Sequence, residues 1–246
     1  MYNAGSEPGR TVTFRPRPLL PKITTRDTLP PMPTALPQPL RNTRVLSLAL
    51  NLPGPAALMR CARMGAECTK LEPPPAPGYP SADPMGIYSP AAYATLHDGV
   101  RVVHAHLKTP EGQAALHDEL ARTDVLITSF RPSALTKLGL GWDALQAQYP
   151  RLSLVRIVGA AAERAEEPGH DLTYLADAGL VTGTEMPSTL YADMGGALMA
   201  SEAVLQALLE RAHTGGGVCI EVALADAAAW LAQPRHWGLT TPDGDV

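Results

Sequence analysis

The stretch RVLSLALNLPGPAALMRCARMGAECTKLEP, residues 44–73, has the pattern of a strand, a helix and a second strand. RVLSLAL (44–50) is mostly apolar, as is typical of a strand buried on both faces of a sheet. NLPGP is predicted to be a turn, and AALMRCARMGAE (56–67) repeats its apolar residues at helical spacing. Because a helix joins the first strand to CTKLEP (68–73), this stretch predicts a β-α-β unit with parallel strands.

The same alternation continues along the chain. Further strands are predicted at RVVHAHL (101–107), DVLITSF (124–130), RLSLVRIVG (151–159) and GVCIEVAL (217–224), with helices between them. Thr109 caps one helix, and the clearest helix covers residues 194–213 and ends at three glycines. We therefore predict an α/β fold with a mostly parallel sheet, helices on both faces, and RVLSLAL and DVLITSF as interior strands. Ligands of such sheets bind at the carboxyl ends of the strands.

Composition excludes several classes of protein. The 246 residues are 45% hydrophobic and 18% charged, with a net charge of −4. Charges of both signs are mixed and no basic stripe occurs, so we expect no nucleic-acid partner. The apolar runs are far shorter than the roughly 20 residues that span a bilayer, and no secretory signal is visible. Three cysteines without CxxC spacing are typical of a reducing compartment, so we expect a cytoplasmic protein without membrane contact.

The sequence offers little support for a metal centre or a nucleotide site. His104 and His106 have the same-face spacing of a strand, but no nearby cysteine or second histidine cluster completes a ligand set. We therefore expect no metal. A nucleotide-dependent α/β enzyme is a weak alternative, since neither GxGxxG nor GxxxxGK[ST] occurs.

The first 40 residues differ from the rest of the chain. They include RPRPLLPKITTRDTLPPMPTALPQPL, which is rich in proline and can form neither a helix nor a central strand. We predict an extended or disordered leader over residues 1–40, followed by the α/β domain over residues 41–230.

Two stretches carry the candidate chemistry: PGHDLTYLADAGLV (168–181) and YADMGGALMA (191–200). His170 is a candidate general acid or base, because histidine side chains suit proton transfer at physiological pH. Asp193 stands directly ahead of the long helix, and the simplest interpretation is that it is the N-terminal cap of that helix. The same position would favour an ionised carboxylate, and Gly195 and Gly196 would let a substrate approach the backbone. Asp171 is expected to cap the helix that follows it.

Four segments in order resemble the family III CoA-transferases, a family that includes both transferases and 2-methylacyl-CoA racemases. The resemblance covers about residues 41–230 and rests on RVLSLALNLPGPAALMRCARMGAECTKLEPP, LKTPEGQAALHDELARTDVLITSFRPSALTKLGLGWDAL, PGHDLTY and YADMGGALMASEAVLQALL. It implies a Rossmann-like domain, a CoA thioester as substrate without a permanently bound cofactor, a carboxylic acid as the second substrate, and an interlocked homodimer.

The resemblance also implies roles for individual residues. Asp193 matches the aspartate that attacks the acyl-CoA carbonyl in the transferases, and His170 with Asp193 matches the acid–base pair of the racemases. It implies that Phe130 packs near the CoA adenine, that Arg131 and Lys137 lie where the phosphates pass, and that the turn of Leu52, Gly54 and Pro55 contacts CoA. Arg131 and Lys137 would otherwise be solvated surface residues, and the turn an ordinary strand-to-helix connection.

Departures from the family pattern leave alternatives open. Ser129 stands where the family usually has asparagine, VGAAAERAEEP replaces a glycine-rich loop, and residues 231–246 are predicted to be a truncated linker towards a small domain that is absent. We expect a CoA-transferase acting through an aspartyl intermediate. The alternatives are a 2-methylacyl-CoA racemase that uses His170 and Asp193, and a truncated, non-catalytic CoA-binding subunit that needs a complementing chain.

Overall fold

The computed structural model describes residues 37–240, and within that range it contains a six-stranded sheet. Every strand pairing is parallel, and the strand order is β3-β2-β1-β4-β5-β6. This confirms the predicted α/β class and the Rossmann-like order of strands. The strands are β1 (Arg44–Ser47), β2 (Glu67–Glu72), β3 (Arg101–His104), β4 (Val125–Thr128), β5 (Ser153–Val158) and β6 (Cys219–Ala223).

Helices cover both faces of the sheet. They are α1 (Pro53–Arg63), α2 (Pro84–Tyr88), α3 (Pro90–Leu96), α4 (Pro110–Leu120), α5 (Pro132–Lys137), α6 (Trp142–Gln148), α7 (Asp171–Asp177), α8 (Tyr191–Thr214) and α9 (Leu224–His236), with a 3₁₀ turn at Ala162–Glu166. Val45 and Ile127 point to the core formed with α1, α8 and α9. Leu46 and Leu126 point to the opposite core, formed with α4, α5 and α6. Burial on both faces explains why these strands are continuously apolar.

The two central strands are β1 and β4, which pair with Ser47 opposite Ile127. From β1 the chain crosses over to β2 on one side, and from β4 it crosses over to β5 on the other side. Their carboxyl ends therefore form the point at which the strand order reverses. A crevice opens at such a point because the two crossovers leave in opposite directions.

Several boundaries differ from the sequence prediction. The predicted turn at 51–55 contains the start of α1, which begins at Pro53, because proline is favoured in the first turn of a helix. The proline-rich stretch before Pro90, to which no element was assigned, contains α2. Helix α8 begins at Tyr191, three residues before the predicted start at Met194, and ends as expected at Gly215, whose φ is 82°. The Thr109 cap is confirmed by a 3.1 Å hydrogen bond from the Gly112 N–H to its Oγ1.

The ends of the domain extend into segments that were assigned to a leader and a linker. Leu40 is 1% exposed, and its N–H donates to the Met64 carbonyl oxygen at 3.0 Å. At the other end α9 continues to His236, within the stretch predicted as linker. Residues 1–36 and 241–246, which include most of the predicted leader, lie outside the described residues. Within residues 37–240, none of the helices has both the length and the apolarity that a bilayer crossing requires.

Candidate active site

A cavity of about 500 Å³ opens at the carboxyl edge of the sheet. The turn after β1, the segments after β4 and β5, the segment that leads into α7, and the first turn of α8 form its walls. The lining residues are 50–53, Tyr88, 129–131, 157–159, Ala165, 167–171, Tyr174, Leu190, Asp193 and Leu224. The cavity therefore lies where the strand order reverses, as predicted for a ligand of this fold.

His170 and Asp193 both line this cavity. His170 is exposed and immediately precedes α7, and its backbone N–H donates to Thr173 Oγ1 at 3.4 Å. Asp193 is half-buried in the first turn of α8. The fold thus brings the two predicted catalytic residues, from separate segments, to one cavity.

The helix caps differ from those predicted. Leu190 precedes the first residue of α8, so Asp193 is the third residue of that helix and not its N-terminal cap. Asp171 is buried, and its Oδ1 accepts the backbone N–H of Asp193 at 2.9 Å. Asp171 thus satisfies a free N–H in the first turn of α8 and does not cap its own helix. This leaves the Asp193 carboxylate without a capping role.

The environment of Asp193 opposes its ionisation. Burial raises the pKa of this carboxyl to about 6, the nearby Asp171 charge adds to the rise, and His170 lowers it. We expected the helix N-terminus to favour the ionised form, but desolvation outweighs that effect here. A carboxylate with a pKa of about 6 is still mostly ionised at neutral pH, and it accepts and returns protons readily there.

The residues expected to bind CoA fall into two groups. Leu52, Phe130 and Arg131 line the cavity, and Arg131 is exposed at the start of α5. Gly54 and Pro55 are buried in the first turn of α1 and do not line the cavity. Lys137 is exposed at the other end of α5, also away from the cavity lining.

Three glycines near these residues have packing roles. A Cβ on Gly54 would overlap the Cβ of Ala49, so α1 approaches the end of β1 too closely for alanine. A Cβ on Gly196 would overlap Leu224 Cδ2, and one on Gly195 would lie 3.3 Å from the Ala227 Cβ. The paired glycines thus allow α8 and α9 to pack closely, and neither lines the cavity where substrate access was expected.

A buried charge network supports one wall of the cavity and was not predicted. Lys70, which is 0% exposed, forms ion pairs with Asp83 and, at 3.3 Å, with Glu72. Asp83 Oδ1 accepts the N–H of Asn51 at 3.1 Å and the N–H of Met85 at 3.0 Å. Asn51 lines the cavity with a φ of 62°, so this network fixes a strained turn. Lys70, next to Leu71 in the sequence of β2, was the available sequence signal, but its partner could not be inferred.

His104 and His106, the pair considered and set aside as metal ligands, do not share the face of one strand. β3 ends at His104, so His106 lies beyond the strand on which the two were predicted to share a face. His104 Nε2 lies 3.3 Å from Glu72 Oε1, and His106 Nδ1 accepts the Lys108 N–H. Within residues 37–240, His, Cys, Asp and Glu residues form no group of three or more that could hold a metal ion.

Fold and cavity together define a parallel α/β domain of Rossmann-like strand order, with a histidine and a partly buried carboxylate at the ligand edge. The sequence matches the family model described as CoA-transferase family III over residues 40–244. The chain belongs to CoA-transferase family III.

Relatives of known sequence and structure agree with this assignment. The chain is 32% identical over 221 residues to a probable fatty acyl-CoA transferase of Mycobacterium tuberculosis, covering 81% of this chain and 54% of that protein. It is 31% identical over 203 residues to human alpha-methylacyl-CoA racemase, covering 78% and 50%. A CAIB/BAIF family protein from Brucella suis superimposes with a TM-score of 0.71 at 28% identity, covering 84% of this chain and 60% of that one. The chain spans about half the length of the curated relatives it matches.

Proposed function

We propose that this chain provides the CoA-binding and nucleophile-bearing part of a CoA-transferase that moves CoA between carboxylic acids. The observation that carries this proposal is the position of Asp193, which lines the cavity and whose backbone N–H is held by Asp171. At neutral pH this carboxyl is mostly ionised, as a nucleophile must be. Arg131, at the cavity, is the proposed partner of a CoA phosphate, because guanidinium pairs strongly with phosphate. Phe130 is proposed to pack on the adenine.

In the proposed reaction, a carboxylate oxygen of Asp193 attacks the thioester carbonyl carbon. The carbon–sulfur bond breaks, CoA leaves as thiolate, and an acyl–aspartyl anhydride remains. The thiolate then attacks the aspartyl carbonyl, which releases the donor acid and leaves an aspartyl thioester. The acceptor carboxylate then attacks the aspartyl thioester, which expels the CoA thiolate and forms a second anhydride. The thiolate attacks the acceptor's acyl carbon in this anhydride, so that a new acyl-CoA forms and Asp193 returns to its ionised form.

A second candidate function is racemisation of a 2-methylacyl-CoA. It is supported by the shared position of His170 and Asp193 on one cavity, because a 1,1-proton transfer needs two groups that can exchange protons at neutral pH. One group would remove the α-proton and the other would return a proton to the opposite face. The similarity to alpha-methylacyl-CoA racemase is compatible with this chemistry and with the transferase.

The two functions are separated by His170→Ala. If the protein is a transferase, this variant still forms an aspartyl adduct that hydroxylamine traps, and CoA transfer to a free acid persists. If it is a racemase, α-proton exchange in deuterated water falls by roughly 10²–10⁴-fold, and no adduct is trapped. Asp193→Ala should abolish either activity, and His213→Ala, in the last turn of α8, is the matched histidine control. CoA binding without either activity would favour the non-catalytic subunit.

We also propose that the protein works as a cytoplasmic homodimer, or together with a complementing chain. Large apolar side chains are exposed on α8 and α9, among them Met194, Leu198 and Trp230, and such a surface is typical of an interface. The three cysteines are free, and burial raises the pKa of Cys61 to about 12, as suits unreactive thiols in a reducing compartment. Light scattering with and without an acyl-CoA measures the assembly.

A further inference from the structure

Tyr174, in α7, has a side chain that is only 6% exposed, yet it takes part in the lining of the cavity. Its ring packs in the core on the α1, α8 and α9 face of the sheet. Its hydroxyl lies between two backbone segments, one at Gly159 directly after β5 and one at Gly169 directly before His170. The hydroxyl is therefore held at the carboxyl edge of the sheet, beside the backbone that carries the predicted catalytic histidine.

The two glycines are explained by this hydroxyl. A Cβ on either Gly159 or Gly169 would overlap the Tyr174 hydroxyl oxygen, and it would lie 3.1 Å or 2.7 Å, respectively, from Tyr174 Cζ. Neither glycine is among the residues with positive φ, so the backbone conformation itself does not require glycine there. Glycine is required at both positions because the phenol occupies the space that a side chain would need. Close packing on two sides leaves the hydroxyl little freedom to move.

The hydroxyl forms no hydrogen bond with the described residues, 37–240, and it is not among the fully buried polar atoms that lack a partner there, so its oxygen remains open to the cavity. A hydroxyl that faces a cavity without a protein partner is free to donate its proton to a bound ligand. Burial raises the pKa of Tyr174, and the Asp193 charge raises it further, against smaller opposing effects of Arg131 and Arg164. The phenol thus remains protonated at neutral pH and can donate a hydrogen bond to an acceptor in the cavity.

We propose that Tyr174 is a catalytic residue whose hydroxyl donates a hydrogen bond to the thioester carbonyl oxygen of the acyl-CoA. This inference rests on the proposed function. That oxygen gains negative charge when Asp193 adds to the carbonyl carbon, and equally when an α-proton is removed to give an enolate. A fixed donor aimed at developing charge stabilises the transition state more than the ground state. The phenolic proton stays on Tyr174 throughout.

The test uses Tyr174→Phe, which keeps the ring and its packing and removes only the oxygen. Transfer or exchange should fall by roughly 10²–10³-fold in kcat, the range found when one oxyanion donor is removed, while KM and the melting temperature change little. Tyr149→Phe is the matched control. It removes a hydroxyl that pairs with His117 Nδ1 at 2.8 Å beside the opposite core, and it should leave kcat unchanged.

A second measurement does not depend on turnover. An acyl-CoA with a ¹³C-labelled thioester carbonyl is bound to Asp193→Ala, and its carbonyl stretch is compared with that in Asp193→Ala/Tyr174→Phe by infrared difference spectroscopy. The hydrogen bond should lower the stretching frequency in the first protein only. Gly169→Ala, which displaces the phenol, should also lose the shift.

The outcomes separate the two proposals. If the wild-type chain is active but the carbonyl frequency and kcat do not depend on Tyr174, this inference is wrong and the proposed function stands. If the wild-type chain neither transfers nor exchanges, but the frequency depends on Tyr174, the proposed function is wrong and the contact stands. A thioester that does not bind overturns both.

Discussion

Asp171 Oδ1 accepts the backbone N–H of Asp193 at 2.9 Å, although the two residues are 22 positions apart in the sequence. Asp171 is the first residue of α7 and Asp193 lies in the first turn of α8, so this one bond joins the starts of two helices at the cavity. It also brings two carboxyl groups close together, and the Asp171 charge is one cause of the raised Asp193 pKa. The same neighbour thus holds the backbone of the candidate nucleophile and contributes to the rise of its pKa.

Asp171→Asn should shift the acid limb of the pH–rate profile to lower pH. Asparagine retains an oxygen that accepts the Asp193 N–H but removes the negative charge, so the pKa of Asp193 should fall below about 6. Because burial is the larger cause of the rise, the pKa should stay above the ordinary value of 3.8. The measurement is kcat/KM from pH 4 to 8, and an unmoved limb would show that the Asp171 charge is screened.

Asp193→Asn should stabilise the protein at neutral pH while it abolishes the chemistry. The pKa of Asp193 is about 6 in the folded protein, against an ordinary value of 3.8. At pH values between these two, the folded protein therefore keeps a proton on Asp193 that the unfolded chain has released. Stability therefore falls as pH rises from about 4 to 6, and the full penalty, of the order of 3 kcal/mol, is present above pH 6. Urea unfolding should show the gain at pH 7.5 and its loss near pH 3.5. An equal gain at both values would point to a cause other than ionisation.

Gly54→Ala should destabilise the fold, and Ala49→Gly should rescue it. The added methyl group would overlap the Ala49 Cβ, and neither atom belongs to a flexible side chain. Overpacking of this kind costs about 1–3 kcal/mol. The double variant removes one of the two methyl groups and should regain most of that loss in thermal unfolding. Gly183→Ala is the control, because nothing lies within 4 Å of its added Cβ. If Gly54→Ala unfolds normally but loses CoA affinity, Gly54 acts as a ligand contact.

Lys70→Met should be strongly destabilising. The substitution removes a fully buried cation and leaves the carboxylates of Asp83 and Glu72 without it. Removing one partner of a buried ion pair costs about 3–5 kcal/mol, and loss of the Asp83 geometry should also loosen the Asn51 turn at the cavity. Lys108→Met, at an exposed lysine, should change the unfolding midpoint little. Equal midpoints for the two variants would mean that the carboxylates are satisfied without Lys70.

Arg131→Ala should weaken CoA binding more than Lys137→Ala does. Arg131 lines the cavity, whereas Lys137 lies at the far end of α5. Calorimetric titration with CoA and with dephospho-CoA also locates the 3′-phosphate. If Lys137 meets that phosphate, its replacement weakens CoA more than dephospho-CoA. Equal losses for both ligands would remove this assignment for Lys137.

Local sequence patterns determined the fold class of this protein. Strands such as RVLSLAL and DVLITSF are apolar on both faces because helices cover both faces, and Leu46, Leu48, Val125 and Ile127 are all buried as predicted. Thr109 and Gly215 mark a helix start and a helix end through chemistry confined to a few neighbouring residues. The resemblance to family III supplied His170 and Asp193, and both line the cavity.

Contacts between residues that are distant in the sequence were determined only by the tertiary structure. Periodicity shows which face of an element is buried, but it does not show which element covers that face or how closely two backbones approach. Asp171 was therefore predicted to cap its own helix, and the close packing of Gly54 against Ala49 could not be predicted. The pairing of Lys70 with Asp83 and the place of Tyr174 between Gly159 and Gly169 depend on the crossovers. Those crossovers bring separate strand ends to one edge of the sheet.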